Sequence, residues 1–287
     1  HFTSEYCGNC PKGYDAIYQF TESNSNVIWV SHHSGFRNDE YTITESSSVV
    51  SINGVSGAPT CAINRAAMSF QLEDGSSQAS TAEVPNFMPT YLPWLTTELA
   101  KTTFASVNIV EHSFDAATRK LTITVSGDVR NSNYSFIKLS VCLTESGMMG
   151  KQMDYGKEDE KWEQYRHVHV PRVFLTAAMG DKLSLTDGKY TKTFTATLNE
   201  AWNVDNMSVV AYITGTSDKP VLNAATTPII EETNGADHFI PKGIDNTSTG
   251  IEGISSDVDT PCKYFHNGRL QIRVGDTVYD VIGRIAK

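Results

Sequence analysis

The sequence predicts an α/β segment, then an all-β antiparallel sandwich, then a small C-terminal β-hairpin segment. Three observations lead there. Residues 1 to about 103 mix short apolar runs with stretches of helical period. Residues from about 105 to 230 carry period-2 runs separated by turn clusters. Residues 263–287 place Leu, Ile, Val and Tyr between tight-turn pairs such as Asn267-Gly268 and Gly275-Asp276. The expected boundaries are 1–103 for the α/β domain, 104–232 for the sandwich, 233–262 for a Gly/Ser/Thr/Asp/Asn-rich linker and 263–287 for the C-terminal β segment.

Each element follows from its own pattern. Cys7 to about Phe20 reads as a helix, because Tyr14, Ile17 and Tyr18 recur at helical spacing. Pro11 fits this helix if Cys7 is the N-cap, since first-turn N–H groups lack partners anyway. Val27-Ile28-Trp29-Val30 is a continuous apolar run, the pattern of a buried strand. A helix is expected at 43–53, a turn over Gly54–Pro59, a strand over Thr60–Asn64 and another from Met68 to the turn at Glu73-Asp74-Gly75. Leu92, Leu95 and Leu99 with Trp94 predict a closing helix over 91–102. Beyond it, Leu121, Ile123 and Val125 alternate with polar residues. So do Ile137, Leu139, Val141 and Leu143, then Phe194, Ala196 and Leu198, then Val209, Ala211 and Ile213. Such runs predict half-buried antiparallel strands. Residues 146–166, with the run Lys157-Glu158-Asp159-Glu160-Lys161, read as a surface loop by length and charge.

Composition narrows the function classes. The chain has 287 residues, 23 basic and 33 acidic, for a net charge of −10. An acidic chain is a poor partner for nucleic acid, whose phosphates call for a basic patch. At 39% hydrophobic residues there is enough apolar material for packed cores. No apolar run reaches the ~18–20 residues of a membrane-spanning helix, so no transmembrane span is expected. The chain opens on a motif without Met or a signal peptide, which reads as a processed form with an export signal or lipid anchor upstream of residue 1. A P-loop, a dinucleotide fingerprint and a Ser-His-Asp order are all missing, so no cofactor is expected.

Of five cysteines, Cys7 and Cys10 form a C-x-x-C pair, while Cys61, Cys142 and Cys262 stand far apart. Zinc ribbons need a second close pair, so metal is not expected there. At a helix start the macrodipole and first-turn N–H groups favour a thiolate at Cys7, and Cys10 one turn on can resolve a mixed disulfide. Cys7 and Cys10 are therefore the candidate catalytic pair.

Downstream, Gly54-Val55-Ser56-Gly57-Ala58-Pro59-Thr60 resembles the segment of thioredoxin-like proteins in which a cis proline faces the dithiol. The resemblance implies a thioredoxin-like first domain, with Pro59 as a platform beside the sulfurs and the main chain of Ala58 open to an extended substrate. The alternative is an inert or structural disulfide on a thioredoxin-like scaffold. There are departures from the pattern. His1 stands where these enzymes commonly carry a buried carboxylate, Pro11 follows the second cysteine, and Asn9 replaces the usual proline. His32 and His33, after the 27–30 strand, are candidate substrate-side residues, against the plainer reading of two loop histidines. Cys61 reads as a core cysteine. His167-Val168-His169 puts two imidazoles on one strand face, half of a metal site with no third ligand fixed by spacing.

Three stretches resemble the 28-kilodalton outer-membrane protein family of Bacteroidetes. They are His1–Pro11, then Tyr165-Arg166-His167-Val168-His169-Val170-Pro171-Arg172, then Trp202-Asn203-Val204-Asp205-Asn206-Met207 and the strand after it. That resemblance implies a thioredoxin-like domain joined to a β-sandwich in a lipoprotein of the cell envelope, periplasm or outer membrane. Thr277-Val278-Tyr279-Asp280-Val281-Ile282-Gly283-Arg284 is similar to tails of exported Bacteroidetes proteins. Two functions fit. One is thiol–disulfide exchange on a protein or peptide disulfide. The other is a surface binding or adhesion lipoprotein that engages a partner through its sandwich and the 146–166 segment.

Overall fold

The computed structural model describes residues 1–22, 24, 26–71, 74–80, 92–157, 162–230, 262–266, 269–274 and 277–280. Residues 233–261 of the linker expected over 233–262, the charged residues 158–161 and the tail from Val281 onward lie outside the described residues, while Cys262 belongs to a strand. Contacts divide the chain into two compact units.

The larger unit opens with strand β1 (Phe2–Thr3), helix α1 (Cys10–Glu22), strand β2 (His32–His33) and helix α2 (Thr44–Asn53). Strands β1 and β2 run parallel, pairing Phe2 with His32 and Thr3 with His33. On its other side Phe2 forms an antiparallel bridge with Thr60. Helix α2 ends where Gly54 adopts φ 66° and returns its N–H to Ser51 and Val50, a left-handed cap that glycine takes without steric cost. A hairpin of β3 (Met68–Gln71) and β4 (Ser77–Ser80) and helix α3 (Leu92–Leu99) complete this part. Two expectations shift. The 27–30 run is not a ladder strand: regular pairing starts only at His32, where the chain meets β1. Only the Thr60 end of the 60–64 strand pairs with β1.

Two antiparallel sheets follow. One orders β12 (Lys189–Thr197), β6 (Lys120–Asp128) and β5 (Asn108–Asp115). The other orders β10 (Val170–Phe174), β7 (Phe136–Glu145), β13 (Met207–Thr214) and β14 (Val221–Pro228), with β11 (Asp181–Ser184) also on β7. Leu121, Ile123 and Val125 of β6, Ile137, Leu139, Val141 and Leu143 of β7, and Val209, Ala211 and Ile213 of β13 share one core. Burying a side chain of this kind contributes about 1.5–3 kcal/mol. Strand β6 alternates buried and half-buried residues as expected, while β7 is buried continuously from Leu139. The reason lies on its outer face, where Cys142 and Val210 pack against Phe2 and Val49 of the α/β part and Phe174. Cross-links reinforce that contact. Arg65 donates to Tyr212 Oη at 3.0 Å and to Asp218 O at 3.0 Å, and Val221 N donates to Asn64 O at 2.7 Å.

One position in this sandwich needs glycine for space. A Cβ on Gly127 would lie 2.0 Å from Ser106 O and 2.6 Å from Tyr190 Oη, and Tyr190 Oη donates to that same carbonyl at 2.8 Å. Gly127→Ala must push backbone apart or break this bond. A loss of about 2–3 kcal/mol in chemical denaturation is expected; a change below about 0.5 kcal/mol would show that the strand yields freely.

The 146–166 segment is not the surface loop expected. It folds into an antiparallel hairpin of β8 (Met148–Met153) and β9 (Trp162–His167), with Gly150 opposite Tyr165 and Gln152 opposite Glu163. Among the described residues of the smaller unit, β15 (Cys262–His266), β16 (Arg269–Val274) and β17 (Thr277–Asp280) form a three-stranded antiparallel meander.

Candidate functional site

The site starts from the Cys7-Gly8-Asn9-Cys10 turn. Cys7 N donates to Ser4 O and Cys10 N to Cys7 O, both at 3.0 Å, so the chain curls before the regular helix begins at Cys10 rather than Cys7. Pro11 lies in the first helical turn, where its missing N–H leaves no bond unmade. Cys7 and Cys10 form a disulfide with Cα atoms 5.3 Å apart. Both are buried, at 4% and 2% exposure. Cys61 and Cys142 are buried thiols, and burial pushes the Cys142 thiol up to about 12.

The Ala58–Pro59 peptide bond is cis. Pro59 packs on α1 where a Cβ on Gly13 would stand, 2.8 Å from Pro59 Cβ. That helix turn follows the one carrying Cys10. Ala58 is half-buried.

The β8–β9 hairpin covers the disulfide. Gln152 Nε2 shares its two N–H donors among the carbonyls of Ser4 (3.1 Å), Glu5 (3.3 Å), Cys7 (3.0 Å) and Met153 (3.1 Å). Met153 N donates to Glu5 O and Tyr155 N to Gly8 O, each at 2.8 Å. The Tyr155 ring lies on Gly8, where a Cβ would come within 2.4 Å of it, while the tyrosine itself stays exposed. Sequence reasoning missed Gln152. Its signal was hidden because a polar side chain on a polar segment looks solvated.

The two candidate histidines part company. His32 pairs its Nδ1 with Ser46 Oγ at 2.9 Å and stacks on Phe2 and Phe174. Burial holds its pKa well below the ordinary histidine value. His33 instead lines, with Cys10, a cavity of about 20 Å³ shared by Thr3, Tyr14, Ser31 and His167. His33 Nδ1 lies 2.8 Å from Asp39 Oδ2, both side chains being essentially inaccessible. Burial raises the Asp39 pKa, but the hydrogen bond and charge of His33, with the N–H groups of Glu5 and Tyr41, outweigh it and hold the carboxyl below its usual range. Asp39 is therefore an acceptor, and His33 Nδ1 carries the donated hydrogen.

Around this pair burial shifts the other groups toward their neutral forms. Burial, then the charges of Asp39 and Glu40, push Glu5 up to about 7. Burial, then His33, bring His167 down to about 3, and burial alone brings His169 to about 4. The expected common face of His167 and His169 is corrected by the backbone. β9 ends at His167, and His169 turns away at φ 54° to meet Trp29 at 4.9 Å, while the His167 ring meets Tyr41 at 4.7 Å and His33 at 5.1 Å. Among the described residues no group of three or more His, Cys, Asp or Glu side chains is arranged to hold a metal. Asp39, Glu5, Tyr14 and Tyr165 were not legible as site residues, because tertiary contact alone brings them to the cysteines.

Fold and site together define a class: an α/β segment with a covered disulfide, packed on the outer face of an antiparallel sandwich. The chain belongs to the outer membrane protein Omp28 family, whose model matches residues 47–233, and it is a protein of the bacterial cell envelope. Cys7 and Cys10 lie before the matched residues. Among solved structures it is similar to HBP35 of Porphyromonas gingivalis, at 17% identity and TM-score 0.58, covering 100% of this chain and 88% of that one, which places the two in one fold. It is also similar to a domain of the outer membrane lipoprotein Omp28 from Porphyromonas gingivalis, at 17% identity and TM-score 0.31, covering 45% of this chain and 90% of that one. No curated protein matches the chain. Among the described residues no helix is long and apolar enough to cross a membrane.

Proposed function

We propose that this chain is an outer-membrane lipoprotein whose first 103 residues form a thioredoxin-like domain, and that Cys7 and Cys10 exchange with protein disulfides when the β8–β9 hairpin lifts. Residues 104–232 are then the sandwich that carries the hairpin. The domain assignment is supported by the order β1, α1 starting at the disulfide, β2 parallel to β1, α2, Pro59 against α1, the antiparallel bridge of Thr60 to Phe2, a hairpin and a closing helix. In this reading Cys7 is the attacked and attacking sulfur, Cys10 the resolving thiol, and Pro59 with Ala58 the platform for the substrate chain.

The observation that carries the redox reading is the nature of the cover. Over Cys7 and Gly8 it consists of hydrogen bonds and one exposed tyrosine, and the apolar contact of the hairpin with α1 is the small cluster of Tyr165 and Val168 on Tyr14, so this cover is weaker than the sandwich core. A second reading is favoured by the burial of both sulfurs: the disulfide is a staple, and the sandwich and hairpin engage a surface partner. Equilibration with glutathione buffers and a count of thiols separates them. A potential between about −270 and −120 mV, the span of exchange catalysts, is expected. A value below about −300 mV, typical of structural disulfides, would overturn the redox reading.

A further inference from the structure

Breaking the Cys7–Cys10 bond leaves a thiol at Cys10 that is 2% exposed. Closing the bond again requires that thiol to lose its proton inside the protein. The cavity that Cys10 lines mixes polar and apolar groups, and at about 20 Å³ it has room for one water, which needs about 10–15 Å³ and two or more polar partners. The lining offers them: Tyr14 Oη is buried and has no hydrogen-bond partner among the described residues, and Thr3, Ser31 and His33 contribute polar side chains.

We propose that His33, oriented by Asp39, is the proton acceptor for Cys10, working through a water held in this cavity. The inference rests on the thiol–disulfide exchange reading above. Elimination among the lining groups supports it. His167 is kept neutral by burial, and burial raises the Tyr14 pKa so that its hydroxyl keeps its proton. The ring nitrogens of His1 have no hydrogen-bond partner among the described residues to stabilise a charge. His33 alone has a buried counter-charge in contact, at 2.8 Å. Its Nδ1 is committed to Asp39, which leaves Nε2 to serve the cavity. The remaining groups packed around it are Tyr41 at 4.9 Å, His167 at 5.1 Å, and Glu5, whose N–H donates to Asp39.

The step balances as follows. A mixed disulfide joins Cys7 to a partner sulfur. The Cys10 proton passes through the water to His33 Nε2, giving an imidazolium paired with Asp39. The Cys10 thiolate attacks Cys7 Sγ, the Cys7–Cys10 bond forms, the bond from Cys7 to the partner breaks, and the partner leaves as a thiolate with the electron pair. The partner's disulfide is the oxidant.

The test uses the reduced full chain with an aromatic disulfide whose released thiolate is coloured. The first release reports attack by Cys7, and the second reports ring closure by Cys10. Ring closure at pH 7 should be slowed about 100-fold in His33→Gln, and the dependence of closure on pH should differ in shape from that of the wild type. Glu5→Gln should keep the wild-type profile of closure. Asp39→Asn, which removes the charge that orients His33, should slow closure while leaving the first release unchanged. A His33→Gln profile superimposable on the wild type would overturn the assignment. Absence of the first release in the wild type would instead overturn the exchange reading itself.

Discussion

Acidification should begin to destabilise this protein near pH 6, before its carboxylates protonate. His32 and His167 are buried and His169 is half-buried, and all three are held neutral, His167 down to about 3 and His169 to about 4. In the unfolded chain each takes up a proton near pH 6.5. Their stabilising contribution is therefore fully present above pH 6.5 and is lost as pH falls toward 4, because the unfolded state then binds more protons. One histidine gives about 1.4 kcal/mol per pH unit, so three give about 4. Glu5 works the other way. Its pKa is raised from 4.5 to about 7, so its contribution is present at low pH and lost as pH rises through 7. It offsets about one of the three, leaving a slope of about 3 kcal/mol per pH unit below pH 6. Between pH 6 and 4.5 this slope removes about 4–5 kcal/mol, close to the whole of a net stability at the low end of the usual range of about 5–15 kcal/mol. Urea titrations from pH 7.5 to 5 measure the slope directly. Stability unchanged over that range would mean that these rings are hydrated in solution. In Glu5→Gln the slope should steepen below pH 7, since only the histidines then remain.

The parts of this fold that showed in the sequence are those where one face meets the core and the other meets water. β6 and β12 read correctly because Leu121, Ile123 and Val125, and Tyr190 and Phe194, alternate with threonines and lysines. β7 betrayed only its inner set. Cys142 sits on the phase that period-2 logic assigns to solvent, and it is buried because Phe2 and Val49 cover that face. No window on residues 136–145 contains that information. The hairpin at 148–167 was misread for a related reason. The residues that β8 turns toward the α/β part include Gly150, which leaves room for the Tyr41 hydroxyl 2.2 Å from where its Cβ would be, and Gln152, which serves carbonyls. A strand that buries itself against backbone polar groups has no hydrophobic period to detect. At the site, the C-x-x-C and the proline turn were legible as local motifs. The His33–Asp39 pair was visible only as two residues six apart, and nothing in that spacing fixes a contact.

The largest kinetic effect should come from Gln152. Its amide bonds the carbonyls of Ser4, Glu5 and Cys7 from the hairpin. Gln152→Ala leaves those acceptors with fewer partners in a buried place, where each unmade bond costs about 1–3 kcal/mol. The closed state bears that cost, while the open state, with its carbonyls in water, does not. A loss of about 2–3 kcal/mol shifts the closed–open balance about 30- to 150-fold toward open. Attack on a disulfide buried at 4% and 2% exposure needs the open form. Reduction by a dilute dithiol should therefore accelerate by a similar factor, with the sandwich core of Leu121, Leu139 and Val209 untouched. Global stability is the control. If a core variant such as Leu139→Ala, far from the hairpin contacts, accelerates reduction as much as Gln152→Ala, then opening is global unfolding and the hairpin is no gate. If Gln152→Ala leaves the rate unchanged, the reductant reaches the sulfurs by a route that does not pass under β8.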